Sequence, residues 1–209
     1  MTIALFGGSG RSGAAFLPRA LAAGHTIKAL ARTPAKITVT DPRLEVIQGD
    51  VTDAAAVART IAGADAVVSL IGQTKGGRKD VQTVGTQNMI AAMRAENIRR
   101  IVSLSGGGVP YPKDEPKFAD KAIRGVMKLF FSSLLTDGTQ HLELLRESGL
   151  DWTVVRAPRL VEEADRGTYT VGYVGTTGGT KISRGDVMDF VLEVLTEGTH
   201  VKDAPFISW

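Results

Sequence analysis

The chain has no cysteine in its 209 residues, which excludes disulfides, thiolate nucleophiles and cysteine-ligated metals; no metal site is expected. No apolar run approaches the roughly 18 residues of a membrane-spanning helix, and no basic-plus-apolar leader precedes the first predicted strand, so a cytoplasmic protein without a membrane partner is expected. The net charge is only +3 and comes from scattered Lys and Arg. That argues little for nucleic acid and fits an anionic cofactor better. Length and composition are those of one globular unit able to bury a core. Two local absences matter more: no lysine occurs before Lys28 and no carboxylate before Asp41.

What is present is organised around Thr2 to Gly24, TIALFGGSGRSGAAFLPRALAAG. Thr2 to Phe6 read as a strand buried on both faces. A glycine turn follows, Gly7-x-x-Gly10-x-x-Gly13 with Gly8 inside it. Ala14, Ala15, Leu17, Leu21 and Ala22 then recur at helical spacing up to Gly24, a helix-end glycine. Strand, glycine turn and helix together aim unpaired backbone N–H groups and a positive helix end at one point, while missing β-carbons admit a pyrophosphate. A P-loop would need a lysine and a magnesium-binding hydroxyl in fixed places, and the missing lysine excludes it. The turn therefore reads as a dinucleotide cradle.

The next strand, His25 to Ala31, ends at Arg32. In dinucleotide folds this position faces the adenosine ribose, an acid selecting NAD and an arginine selecting NADP. Arg32, with Arg11 and Lys36 nearby in sequence, points to NADP; the alternative is a solvated arginine closing a strand. Leu44 to Gln48 form a third strand, and Asp50 and Val51 follow it, Asp50 as an adenine contact, a turn residue or both. Thr52 or Asp53 caps a helix running to about Ala62. Ala64 to Ile71 is a fourth strand ending at Gly72. Alternating strands and helices predict an α/β fold, a Rossmann-like doubly wound parallel sheet whose strand ends converge on one crevice.

Gln73 to Asp80 reads as a mobile polar rim, Val81 to Asn97 as a helix, and Arg100 to Leu104 as a fifth strand, whose end at Ser105 should face the nicotinamide. Ser105 is the one candidate catalytic residue, as a hydrogen-bond donor to the acceptor; the alternative is a strand-end turn partner. Ala119 to Leu135 reads most simply as a core helix, otherwise as a substrate-facing or oligomer surface carrying Phe130 and Phe131. Asp137 to Gly149 is a further helix and Trp152 to Arg156 a sixth strand. Residues 161–209, with short strands, a helix from Arg184 to Leu195 and a last strand at Phe206-Ile207, read as a lobe of the same unit as the 1–160 core. His25 and His200 fall in turns, and His141 on a helix face reads as structural. The acceptor pocket is expected from Gln73 to Asp80, Gly106 to Phe118 and Val161 to Thr180.

The runs IALFGGSGRSG, ALAR, GDV, DAVVSLIG, LLRESGLDWTVVRAPRL, GTYTV and KISRGDVMDFVLEVL make the chain resemble, nearly end to end, the atypical short-chain dehydrogenase/reductases with an NmrA-like NAD(P)H-binding fold. Within these it is similar to the biliverdin-IXβ reductase and NADPH flavin reductase branch. The resemblance implies pyrophosphate contact at Gly10, Arg11 and Ser12, 2′-phosphate contact at Arg32, adenine contact at Asp50 and Val51, and ribose contact near Ile71 and Gly72. It implies nicotinamide contact at Leu104, Ser105, Pro158, Arg159 and Leu160.

The chain departs from the family twice. Ordinary members use Tyr-x-x-x-Lys as proton donor, but Tyr111, Tyr169 and Tyr173 are followed four residues later by Glu115, Tyr173 and Thr177. Where the flavin reductase branch has a serine after its fifth strand, Gly106 stands, with Ser105 beside it. A carbonyl substrate needs a proton on its forming alkoxide, whereas a delocalised ring spreads the charge. The expectation is an NADPH-dependent reductase of a flavin or similar planar acceptor, working by positioning. The alternatives are an NmrA-like redox sensor that binds dinucleotide without turnover, and an epimerase or dehydratase, which Arg32 and the missing acid–base residues disfavour.

Overall fold

The computed structural model describes residues 1–74 and 76–209. Lys75, in the expected rim loop, lies outside the described residues. The apolar opening run forms β1 (Thr2–Phe6), followed by α1 (Arg11–Ala22), β2 (Thr26–Ala31), β3 (Leu44–Gln48) and α2 (Ala54–Ile61). Then come β4 (Ala66–Ser69), α3 (Val81–Ala95), β5 (Arg100–Gly106), α4 (Phe118–Phe130), α5 (Ser132–Glu147) and β6 (Asp151–Ala157). The chain closes with β7 (Arg159–Val161), β8 (Thr170–Gly172), β9 (Lys181–Ser183), α6 (Arg184–Glu197) and β10 (Phe206–Ser208).

Eight strands form one sheet in the order β3-β2-β1-β4-β5-β6-β10-β8. All neighbours are parallel except the last pair, where β8 runs against β10. The C-terminal segment thus extends the main sheet, while β7 and β9 pair separately. Each face of the sheet has its own core. Phe16, Leu17 and Leu21 of α1 pack with Val187, Phe190 and Val191 of α6 on one face. Val57 and Ile61 of α2, Met89 and Met93 of α3, and Leu142 and Leu145 of α5 cover the other. The continuous apolar runs of the inner strands are what burial on both faces demands.

The predicted helix over Ala119 to Leu135 is corrected in two ways. It breaks at Phe131, whose backbone (φ −130°, ψ 34°) leaves the helical region, so α5 starts at Ser132 rather than Asp137. Nor is it a core helix, because α4 buries none of its residues. Phe118 is 89 % exposed and Leu129 74 %, and Ile123, Val126 and Phe130 also face water. What holds α4 is its other side: Arg124 lies 3.5 Å from Asp114, and Met127 reaches a cavity described below. At the helix that follows β3, Asp53 is the N-cap, accepting from Ala55 N at 2.9 Å.

Two buried polar groups tie helices to the sheet. Arg156 on β6, fully buried, forks onto Asp114 at 2.7 and 2.9 Å and also donates to the carbonyls of Val109 and Ala204. His141 on α5, also fully buried, bonds Thr86 Oγ1 through Nδ1 (2.7 Å) and Ser103 Oγ through Nε2 (2.9 Å). Ser103 Oγ donates to Ser69 O, so its oxygen accepts from Nε2–H, and Nδ1 is left to accept from Thr86; the ring is satisfied while neutral. Burial lowers its pKa to about 4, against an opposing pull from Asp137.

Asp114→Ala strands a buried guanidinium and is expected to cost about 3–5 kcal/mol, read as a lower urea midpoint at unchanged slope. A loss below about 1 kcal/mol, the scale of an exposed pair, would refute the assignment. For His141, the unfolded chain takes up its proton first, near the unperturbed 6.5. Its contribution is therefore complete above that pH and lost as pH falls towards 4, in total about 3 kcal/mol. Comparing urea unfolding at pH 7 and pH 4.5, His141→Gln should remove most of that part of the acid loss. An unchanged pH slope in the variant would show that the histidine is not the titrating group.

Candidate functional site

β1 stops at Gly7, which has φ +90°, and a β-carbon there would sit 2.7 Å from the Leu70 carbonyl. Gly10 caps α1 by its backbone, donating to Gly7 O, while Ala14 N–H bonds Gly10 O. Gly13, in the first turn, faces Gly7 O and Gly8 so closely that a β-carbon would come into hard contact with both. Helix geometry leaves the N–H groups of Arg11, Ser12 and Gly13 without intrahelical acceptors. The helix has no side-chain cap and no acid in its first turn. No side chain among the described residues caps this positive end, and the residues present fit an anionic group held against backbone.

Beside the turn, at the carboxyl ends of β4, β5 and β6, lies a cavity of about 230 Å³. The strand order reverses between β1 and β4 at this place, the usual ligand position in doubly wound sheets. Ser12, Ile71, Gly72, Leu104, Ser105, Pro158 and Leu160, named as cofactor contacts by the family resemblance, all line it. The remaining anticipated residues lie elsewhere. Gly7, Gly10, Arg11 and Gly13 form the turn; Arg11 is exposed, with Nη1 3.8 Å from Glu162. Arg32 and Asp50 meet at the tips of β2 and β3, 3.9 Å apart and largely in water. Asp50 Oδ1 accepts from both the N–H and hydroxyl of Thr52, so its turn role is real. Its burial, which alone would raise the pKa, is outweighed by those bonds and by Arg32, and the pKa falls below the ordinary carboxylate value. Val51 is buried under α3, accepting from Asn88, and Arg159 is exposed on β7.

On the opposite wall, Val109 with Gly106 and Gly108 comes from the expected 106–118 segment, Met127, Leu134 and Leu135 come from the stretch whose alternative reading was a substrate-facing surface, and Gln82 was missed by sequence reading. Gln82, Val109, Met127, Leu134 and Leu135 complete the lining, brought by α3, the post-β5 loop and the α4–α5 corner. No described residue of 73–80 or 161–180 takes part, which corrects the expected pocket. Gln73 instead ties its loop to α5, donating to Ser133 O at 3.0 Å. The glycines after β5 have distinct duties. A β-carbon on Gly107 would strike Phe206, and one on Gly108 would crowd Met127 and Leu135, whereas one on Gly106 would meet nothing within 4 Å.

Polar groups in the cavity are few. Gln82 donates Nε2 to Ile71 O. Ser105 Oγ has no hydrogen-bond partner among the described residues and faces Gly138, where a β-carbon would come within 3.2 Å of it. The tyrosines line other surfaces. Tyr173 donates to Asp203 and Tyr169 to Glu193. Burial and the Asp203 carboxylate push the Tyr111 hydroxyl up to about 12, and burial and Glu193 push Tyr169 up as well, the reverse of what a tyrosine acid–base group needs.

A family model described as NAD(P)H-binding matches residues 7–198. The (4-alkanoyl-5-oxo-2,5-dihydrofuran-3-yl)methyl phosphate reductase of Streptomyces griseus is 29% identical over 136 residues, covering 65% of this chain and 40% of that protein. The 3 beta-hydroxysteroid dehydrogenase/Delta 5→4-isomerase of Mycobacterium tuberculosis is 30% identical over 115 residues, 49% of this chain and 31% of its own length. The chain thus spans less than half the length of these curated relatives. Among solved structures, the anaerobillin reductase ChuY from Escherichia coli O157:H7 superposes with TM-score 0.83 at 20% identity, covering 100% of this chain and 97% of that one. A short-chain dehydrogenase/reductase from Veillonella parvula in complex with NADP gives TM-score 0.77 at 19% identity, covering 100% and 94%. At these identities the structural likeness establishes the fold, a Rossmann-like α/β sheet. The match from Gly7 to Gly198 goes further, and the chain belongs to the NAD(P)H-binding family.

Proposed function

We propose that the protein is an NADPH-dependent reductase that passes hydride to a planar, conjugated acceptor such as a flavin. The observation that carries this reading is the cavity lining. It joins the uncapped α1 turn, through Ser12, to an apolar chamber of Leu70, Leu104, Val109, Met127, Leu134, Leu135 and Leu160. A nicotinamide bound along these strand ends would supply the hydride. The chain's own part is to hold a flat apolar ring against it, to keep water out with Met127 and Leu135, and to offer the Ser105 hydroxyl beside the acceptor. Such a site suits an acceptor that spreads the arriving charge over its own ring system. The reductases among the relatives and neighbours, one of them an anaerobillin reductase, support hydride chemistry on the scaffold without naming this chain's acceptor.

One observation favours a second reading. The apolar face of α4 points to solvent, a contact surface that a dinucleotide-binding sensor would use for a protein partner.

Two measurements decide. NADPH oxidation is followed with FMN, FAD, riboflavin, biliverdin and simple quinones in turn. Turnover with any of them supports the reductase, with Ser105→Ala expected to lower kcat about tenfold, the scale of one hydrogen bond to the developing charge. Tight NADPH binding without turnover moves the assignment to the sensor. Arg32→Ala should raise the KM for NADPH at least about tenfold and leave that for NADH nearly unchanged. Equal small effects on both would remove the 2′-phosphate role.

A further inference from the structure

Behind the glycine turn lies an ionic group that the reading above does not use. Arg184 opens α6 and stands 172 residues from Ser12, yet its Nη1 donates to Ser12 Oγ at 3.0 Å. Its Nε and Nη2 reach one oxygen of Glu162, Oε1, at 3.1 and 2.9 Å. The same oxygen lies 3.8 Å from Arg11 Nη1. The Arg184 side chain is only 8% exposed, whereas Glu162 is 65% exposed.

A guanidinium can only donate, so Ser12 Oγ accepts from it, and the single hydroxyl hydrogen is left to donate elsewhere. Ser12 has no other side-chain hydrogen bond among the described residues and lines the cavity. Its hydrogen is thus available to a group over the α1 N-terminus, polarised by the cation behind it. Stability does not require this arrangement. The α1–α6 contact is already made by Phe16, Leu17, Val187 and Val191, and by Arg19 paired with Asp189. Burying a guanidinium against a mostly hydrated carboxylate is a poor bargain for folding alone.

We propose that Arg184 is a positioning residue for the pyrophosphate of the dinucleotide, fixing the Ser12 hydroxyl as a phosphate donor, and that Glu162 competes with the phosphate for Arg11. The proposal rests on the cofactor reading above. It assigns to the C-terminal segment, through α6, a direct part in cofactor affinity.

The test is calorimetric titration of NADPH, and of adenosine 2′-monophosphate, which lacks the pyrophosphate, into the wild type and five variants: Arg184→Gln, Arg184→Lys, Ser12→Ala, their Gln/Ala double and Glu162→Gln. Thermal unfolding of each variant is recorded alongside. Arg184→Gln is expected to weaken NADPH about tenfold, the scale of one charge-assisted hydrogen bond. Ser12→Ala should match it, and the double variant should be little worse than either single one, because both remove the same oriented donor. Arg184→Lys should recover part of the loss, and Glu162→Gln should tighten NADPH about two- to fivefold. Adenosine 2′-monophosphate should bind all six proteins alike.

Losses that multiply in the double variant, or equal weakening of adenosine 2′-monophosphate, would make Arg184 a structural clamp and overturn the proposal. Weaker NADPH binding by Glu162→Gln would overturn the competition. Wild-type protein that binds NADPH while Arg184→Gln binds it equally well rejects this proposal alone. Wild-type protein that binds neither NADPH nor NADH rejects the cofactor reading and this proposal with it.

Discussion

The structure depends on one close approach, that of the first turn of α1 to the end of β1. At Gly13 there is no room for a β-carbon between the helix and the backbone of Gly7 and Gly8, and at Gly7 none beside the Leu70 carbonyl. Three chain segments, the ends of β1 and β4 and the start of α1, therefore meet on backbone alone. One methyl group would force them apart, because packed interiors do not absorb such a volume locally. The same contact sets the direction of α1, whose free N–H groups open beside the strand ends. The cavity and the anion cradle are thus two sides of one packing constraint.

A second constraint shapes the far wall. Arg156 has no water to solvate it and takes its partners from three separate places: Asp114, Val109 O and Ala204 O. This draws the loop after β5 onto β6 and puts Val109 in the cavity. Asp114 then also receives Arg124 of α4 and lies against the backbone of Val174. α4 is consequently held by its polar side and by Met127, and its apolar side is left outside. An amphipathic helix ordinarily settles the other way round; here a buried ion pair decides the orientation.

The sheet was legible because burial on both faces writes strands as unbroken apolar runs, and glycines mark where they end. Thr2–Phe6 and Ala66–Ser69 follow from that pattern, whereas the edge strand Leu44–Gln48 carries exposed Glu45 and Gln48. The break at Phe131 was not legible, since the apolar period runs through it from Met127 to Leu135 and no proline or glycine interrupts it. Periodicity shows that α4 has an apolar face but not which way the face points, which Asp114 determines from outside the helix. The site divides similarly. Ser12, Ile71, Gly72, Leu104, Ser105, Pro158 and Leu160 are placed by the ends of their own strands or helix, so the fold locates them. Gln82, Met127 and Leu135 are placed by how helices pack, and Arg184 by a contact 172 residues distant. No local signal marks them.

The distribution of hydroxyl groups sharpens the chemical reading. A proton donor for a forming alkoxide needs a pKa brought down towards neutrality and a path into the site. The Tyr111 hydroxyl is pushed up to about 12 by burial and the carboxylate of Asp203, Tyr169 is driven the same way, and neither lines the cavity. His141, bonded to Ser103 on β5, is held neutral between Thr86 and Ser103 by its burial, so it is not an imidazolium acid near neutral pH. Ser105 remains, a hydroxyl that orients an acceptor far better than it acidifies one. The chain's residues therefore suit a reaction in which the acceptor stores the incoming electron pair in its own π-system and takes its proton from water afterwards. In the proposed reaction the protein's part would be geometric, and the glycine contact and the Arg156 anchor fix the two walls between which that geometry is set.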